Sequence, residues 1–239
     1  KGYFDGPKPL RLMDRILTIA NLSDNDIVLD FFSGSATTAH AVMQMCSEKS
    51  MHLKYILVQL PEKIDESSDA YADGYSTLCD IGKERIRRAG KKIKEDSPIT
   101  TQHLDIGFRV FKLDDTNMTD VYYSADEYNQ SMLSMLASNV KSDRTDLDLL
   151  FGCLLEWGLP ISLPYTSEKI EGYTVHTYND GDLIACFDEA IPDSVIKEIA
   201  RRQPLRAVFR DSSFAGSPAK SNVGEIFKLL APDTRVKVI

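Results

Sequence analysis

The sequence predicts an α/β protein: part of a parallel sheet, followed by a small C-terminal α/β unit. Three observations carry this. A strand, a helix and a second strand follow one another within about 35 residues, a βαβ succession that implies parallel pairing and a right-handed crossover. The second of those strands is apolar without clean alternation, as expected when both faces are covered. After residue 146 the pattern restarts as hairpin, helix, strand, helix, strand.

Pro9–Ile19 carries Leu10, Met13, Ile16 and Leu17, with Leu12 and Ile19 beside them, a spacing that predicts a helix with Pro9 near its first turn. Ser23-Asp24-Asn25-Asp26 is a turn. Ile27–Phe32 reads as a buried strand, broken at Ser33-Gly34-Ser35 and followed by a helix with Ala39, Val42, Met43 and Cys46 on one face. Tyr55–Leu60 is the second strand, ended by Pro61. Residues 64–75 are polar and acidic and read as a loop. A helix is expected over Ser76–Lys94, a strand over Gly107–Leu113 and a helical stretch over Asp126–Val140, with a linker opening at Ser142-Asp143-Arg144.

In the second part, Leu147–Glu156 is a helix. Tyr173–Tyr178 and Leu183–Phe187 are strands around the turn Asn179-Asp180-Gly181. A helix over Asp193–Arg201, capped by Asp193, leads to a strand over Leu205–Arg210. A helix over Val223–Leu230 and a last strand over Arg235–Ile239 complete the unit. The expected division is therefore residues 1–125, a helical linker over 126–146, and a C-terminal α/β assembly domain over 147–239.

The net charge of −8, from 36 acidic and 28 basic residues, argues against nucleic-acid binding across the whole surface. A local basic patch is still compatible with it. Cys46, Cys79, Cys153 and Cys186 form no CxxC pair, so no zinc or redox motif is expected; their spacing fits reduced, mostly buried thiols in the cytoplasm. No apolar run approaches the roughly 20 residues of a membrane span, and no signal peptide is evident. The first residue is Lys1, in sequence that reads as structured at once, so a piece of a longer protein is expected.

The most informative stretch is Asp30-Phe31-Phe32-Ser33-Gly34-Ser35-Ala36-Thr37-Thr38. A strand delivers the chain to a turn of small residues and a helix starts at once. Gly34 admits unusual dihedrals and a close ligand, the free N–H groups of the helix start favour an anionic group, and Thr37 and Thr38 add hydroxyls. Glu62 stands at the end of the next strand, where an acid in nucleotide-like folds accepts hydrogen bonds from ribose hydroxyls. The combination points to an adenosine-containing cofactor. An ordinary tight turn without a ligand has the same local residues, and Glu62 is what weighs against it. An NAD fingerprint would want glycine where Ala36 and Ala39 stand.

Together with Lys8-Pro9 and Leu12 upstream and Gln59-Leu60-Pro61-Glu62 downstream, this stretch resembles the amino-methyltransferases of the β motif order. Asp80-Ile81-Gly82-Lys83-Glu84-Arg85-Ile86-Arg87-Arg88-Ala89-Gly90, Gly107–Leu113 and Val208–Phe214 resemble the modification subunits of type III restriction–modification systems. The resemblance implies a Rossmann-like, S-adenosylmethionine-dependent methyltransferase sheet, of which this chain carries part. It implies N6-adenine methylation of a short asymmetric site in double-stranded DNA, a partner restriction subunit, and a homodimer of modification subunits. Residue by residue, it implies that Lys8 and Pro9 line the methionine end of the cofactor. Asp30, Phe31, Phe32, Ser33, Gly34, Ser35, Thr37 and Thr38 would wrap the same region, Glu62 would take the ribose, and Asp80 with Ile81 would stand near the adenine. Ala36 replaces a glycine common in the family, so a slightly altered turn is expected.

Amino-methyltransferases of this kind hold the target amine with an Asp/Asn/Ser-Pro-Pro-aromatic motif, on whose ring the extruded base stacks. This chain contains no Pro-Pro; Ser162-Leu163-Pro164-Tyr165 is the nearest string and reads as a structural turn. The β order puts the catalytic motif upstream of Lys1, so no catalytic residue is expected here. The choice between adenine-N6 and cytosine-N4 rests on that motif. The basic residues Lys83, Arg85, Arg87, Arg88, Lys91, Lys92 and Lys94 read as a solvated helix face with phosphate contact as the alternative. His40 reads as a structural histidine, and Asp211-Ser212-Ser213 as a strand-end turn. The rival function is a non-catalytic module, with a relic turn and a C-terminal unit that docks a partner.

Overall fold

The computed structural model describes residues 3–4, 6–119, 139–214 and 216–239. The chain divides into two compact units, residues 1–108 and 109–239. Of the expected helical stretch over Asp126–Val140, residues 126–138 lie outside the described residues.

In the first unit, helix α1 (Leu10–Ala20) follows Pro9, whose fixed dihedral and carbonyl start the first turn. It ends at Asn21, in the left-handed conformation that asparagine tolerates. Leu10, Met13 and Leu17 turn inward, whereas Leu12, Ile16 and Ile19 are exposed. Strand β1 (Ile27–Asp30) pairs in parallel with β2 (Lys54–Leu57), and α2 (Thr37–Lys49) connects them. α2 buries Ala39, Ala41, Val42, Met43, Met45 and Cys46, an apolar girth that suits a helix covered on several sides. On one side it meets Leu17 of α1; on another it meets Ile86, Ala89 and Ile93 of α4 (Leu78–Asp96). A single turn, α3 (Asp69–Ala72), capped by Ser68, interrupts the polar loop after β2.

Burial alternates along both strands, contrary to the expected cover on both faces. Val28, Tyr55 and Leu57 pack against the helices, while Ile27, Leu29, Ile56 and Val58 stand about half exposed on the opposite face. Period-2 projection sends successive side chains to opposite faces, and only one face of this pair is layered within the unit.

The expected strand over Gly107–Leu113 is not formed. Among the described residues no strand offers it a ladder, and its side chains do other work. The Gly107 N–H closes a turn on the Asp105 carboxylate at 2.8 Å, and Phe108 packs into the α2–α4 core. Arg109 donates to the carbonyls of Ile161 and Leu163, and the Phe111 ring meets the Phe151 edge with centroids 5.0 Å apart. Residues 109–119 are thus bound into the second unit, and the division falls after Phe108.

That unit is a five-stranded mixed sheet in the order β3-β4-β5-β6-β7: β3 (Tyr165–Ile170), β4 (Tyr173–Tyr178), β5 (Leu183–Cys186), β6 (Arg206–Phe209) and β7 (Arg235–Val238). β3, β4 and β5 are antiparallel; β5, β6 and β7 are parallel. α5 (Asp146–Glu156) covers one face through Leu149, Leu150, Cys153 and Leu154. α6 (Asp193–Arg201) and α7 (Ser217–Leu230) cover the other through Val195, Ile196, Ile199, Val223, Ile226 and Phe227. Pro192, not Asp193, holds the cap position of α6, and no side chain caps that end. Of the string Ser162–Tyr165, expected as a turn, Ser162 and Leu163 bend the chain and Tyr165 already opens β3, while Asp211–Ser213 form a 3-10 turn after β6. Among the described residues, no helix is long and apolar enough to cross a membrane.

Candidate functional site

The tips of β1 and β2 hold the turn that the sequence singles out. The backbone ladder runs one step past both strands: Val58 donates to the Asp30 carbonyl at 2.8 Å, and Ser33 to the Val58 carbonyl at 3.2 Å. The chain then reverses, with the Ala36 N–H closing on the Ser33 carbonyl at 2.7 Å. Gly34 has φ +50° and Ala36 φ +59°, both left-handed. Glycine takes that conformation at no cost, whereas alanine is strained by roughly 1–2 kcal/mol. The Ala36 methyl is buried beside Gly82 of α4. A Cβ added to Gly82 would lie only 3.4 Å from the Gly34 carbonyl oxygen.

Asp30 ends β1 with its carboxylate turned back over the turn. One oxygen accepts the Thr38 hydroxyl at 2.5 Å and the other the Phe32 N–H at 3.2 Å. Thr37 and Thr38 are buried in the first turn of α2, whose leading N–H groups have no partner within the helix. Ser35, also buried, accepts a 2.8 Å hydrogen bond from Arg85 of α4. Phe31 and Phe32 are exposed, Phe32 to 84%, so both rings are available to a ligand. Phe4 lies over the turn: a Cβ on Gly34 would stand 3.1 Å from the tip of its ring.

Glu62 comes to the same place from β2. Its backbone is pinned, the carbonyl accepting the Leu78 N–H at 2.9 Å, while its carboxylate is exposed. Gln59 joins the two pieces. Its side-chain oxygen accepts the Gly34 N–H at 2.8 Å, and its nitrogen lies 3.3 Å from a Glu62 carboxylate oxygen.

The remaining expected residues stand differently. Lys8 is exposed ahead of α1, and Pro9 starts that helix. Asp80 is engaged in the capping box of α4, whose cap residue is Thr77, accepting from the Thr77 N–H at 2.9 Å, the Thr77 hydroxyl at 2.8 Å and the Ser76 hydroxyl at 3.0 Å. Its other oxygen pairs with Lys83 at 2.8 Å. The Lys83 ammonium first, then the Thr77 and Ser76 donors, hold its carboxyl well below the usual carboxylate range. The basic run of α4 is largely paired along the helix, Arg87 and Arg88 with Glu84 and Lys91 with Glu95. Burial, then the Arg85 and Lys92 cations, push the half-buried His40 down, which suits a neutral structural residue.

Residues 1–94 match the sequence profile of a family described as DNA methylase. The chain is 35% identical over 128 residues to the Mod subunit of the type III restriction-modification enzyme StyLTI from Salmonella typhimurium, covering 50% of this chain and 19% of that one. It is 31% identical over 176 residues to the EcoP15I Mod subunit of Escherichia coli, covering 72% and 25%. Against the EcoPI Mod subunit of Escherichia phage P1 it is 30% identical, covering 74% and 26%. Residues 1–94 belong to the DNA methylase family. The chain spans about a quarter or less of the length of these relatives.

In this methylase region, three contributors escaped the sequence reading. Gln59 lies inside the expected strand Tyr55–Leu60, but the ladder ends before it and frees its side chain to reach the turn at Gly34. Arg85 belongs to the basic run of α4, and nothing local says that it reaches Ser35, 50 residues away. Phe4 carries no signal at all, because its place over Gly34 is a tertiary contact.

Proposed function

We propose that this chain is the cofactor-binding part of a site-specific DNA adenine-N6 methyltransferase, the modification subunit of a type III restriction–modification system. One observation carries the reading: the Gly34 turn and the Glu62 carboxylate stand at adjacent tips of two parallel strands, joined through Gln59. Ligands of open α/β sheets bind outside the carboxyl ends of the strands.

S-adenosylmethionine, when bound, supplies an electrophilic methyl group on a sulfonium. The residues present suit it. The first-turn N–H groups of α2 favour its carboxylate. The Asp30 carboxylate and the exposed rings of Phe31 and Phe32 favour positive charge. The exposed Glu62 carboxylate suits paired ribose hydroxyls. In this reading Ser33, Gly34, Ser35, Thr37 and Thr38 shape the loop around the methionine moiety, Lys8 and Pro9 border it, and Asp80 acts through its cap at the start of α4. β1 and β2 are then two strands of a larger Rossmann-like sheet, and the half-exposed Ile27, Leu29, Ile56 and Val58 await a second layer from the rest of the enzyme.

The methyl acceptor is handled elsewhere in the full-length protein, since this chain has no Pro-Pro string to hold an extruded base. Double-stranded DNA, a restriction subunit and a second modification subunit are the partners of that complete enzyme, and the C-terminal unit serves assembly. The test is Gly34→Asp in the full-length protein. A carboxylate at the close approach to Phe4, beside the expected methionine carboxylate, abolishes S-adenosylmethionine binding in a calorimetric titration. Unchanged affinity refutes the assignment of the site.

A further inference from the structure

Gln59 is the only side chain described as hydrogen-bonding to both halves of the site, and the chemistry of its two ends is not interchangeable. The Gly34 N–H needs an acceptor and the Glu62 carboxylate needs a donor, so one amide orientation satisfies both and the flipped one satisfies neither. The main chain at Gln59 is itself restrained. Its neighbour Val58 is in the strand ladder, and the Cys79 thiol of α4 lies 3.5 Å from the Gln59 and Leu60 carbonyl oxygens. The Gln59 nitrogen also lies 3.3 Å from the Leu60 carbonyl oxygen, which shares its protons and limits rotation of the amide.

We infer that Gln59 is a positioning residue for the cofactor: it holds the Glu62 carboxylate and the Gly34 turn in one register before the ligand arrives. This inference rests on the cofactor reading above. Glu62 is an exposed acid with several rotatable torsions, and ordering such a side chain only on binding would weaken affinity. A neutral amide supplies the restraint without neutralising the carboxylate, leaving its second oxygen free for ribose hydroxyls. Gln59 acts on binding and touches no reacting atom, so its loss raises the cofactor KM and leaves kcat at saturation unchanged.

The test is calorimetric titration of the full-length protein with S-adenosylhomocysteine. Gln59→Glu keeps the acceptor for Gly34 but puts a second carboxylate against Glu62. It weakens binding about 3- to 10-fold at pH 8, the range expected for one lost side-chain restraint. Two carboxylates at that spacing share a proton on acidification. The deficit of Gln59→Glu relative to the unaltered protein therefore shrinks towards pH 5.5, whereas that of Gln59→Leu does not. In a Glu62→Gln background the Gln59→Glu change has no further effect on affinity. Equal losses in both backgrounds, or the same pH profile for Gln59→Glu and Gln59→Leu, overturn the inference and leave Gln59 a purely structural residue. If Glu62→Gln alone leaves affinity unchanged, the cofactor reading itself fails; if Glu62→Gln weakens binding and Gln59→Glu does not, only the role of Gln59 fails.

Discussion

Replacing Gly34 by alanine tests the turn without adding charge. Two costs arise, and they are separable. The residue has φ +50°, where a Cβ crowds the following carbonyl and costs roughly 1–2 kcal/mol. The new methyl also stands 3.1 Å from the Phe4 ring, inside the optimum carbon–carbon separation, so the ring must give by a few tenths of an ångström. Phe4 is only partly buried and can yield, so the second cost is the smaller. Gly34→Ala should therefore destabilise the first unit by about 1–2 kcal/mol, a fall in Tm of about 4–9 °C for a unit of this size. Thermal unfolding by circular dichroism reads the shift. Phe4→Ala in the same chain removes the contact but not the dihedral, so the double variant recovers only a minor part of the loss. A Gly34→Ala chain that melts with the unaltered one, or full recovery on removing the ring, refutes the left-handed turn.

Thr38→Val removes the 2.5 Å hydrogen bond to the Asp30 carboxylate while preserving shape in a buried position. Hydrogen bonds to charged groups contribute about 1.5–3 kcal/mol, and urea denaturation should show a loss in that range; an unchanged midpoint contradicts it. Gly90→Ala would ordinarily favour a helix interior by up to about 1 kcal/mol. Here the added Cβ would lie 2.8 Å from the Ile106 Cβ, and overpacking of about 1–3 kcal/mol should reverse the sign. A raised Tm would show that α4 and residue 106 are not so close. His40 has a lowered folded pKa against about 6.5 unfolded, so its contribution to stability is present above pH 6.5 and is lost as pH falls through the folded value. His40→Gln should flatten that part of the pH–stability profile between pH 7 and 5, and an unaltered slope there would remove His40 as its source.

Much of the architecture is local and could be read from the order of residues. The βαβ unit is written in two apolar runs around a 3.6-residue pattern, and the turn is written in Ser33-Gly34-Ser35 because few other residues let a strand enter a helix so abruptly. The helices of the second unit fall within a few residues of their expected bounds, with α7 starting six residues early, just ahead of Pro218. Strand β3 was not legible. It is an edge strand of polar residues, Thr166 to Lys169, whose outer face is solvent, so apolar alternation is absent. Its one local clue is the two-residue turn Glu171-Gly172, both at positive φ.

Composition and period determined the βαβ unit and the helices and inner strands of the second unit, and a few sequence strings determined the methylase family of residues 1–94. The tertiary structure alone decided that Gly107–Leu113 is not a strand, because a strand exists only where a neighbour supplies its ladder. It alone brought Phe4, Gln59 and Arg85 to the turn at Gly34. Those three residues reach the turn across 25 to 50 positions of the chain, and no periodicity encodes a contact between residues so far apart.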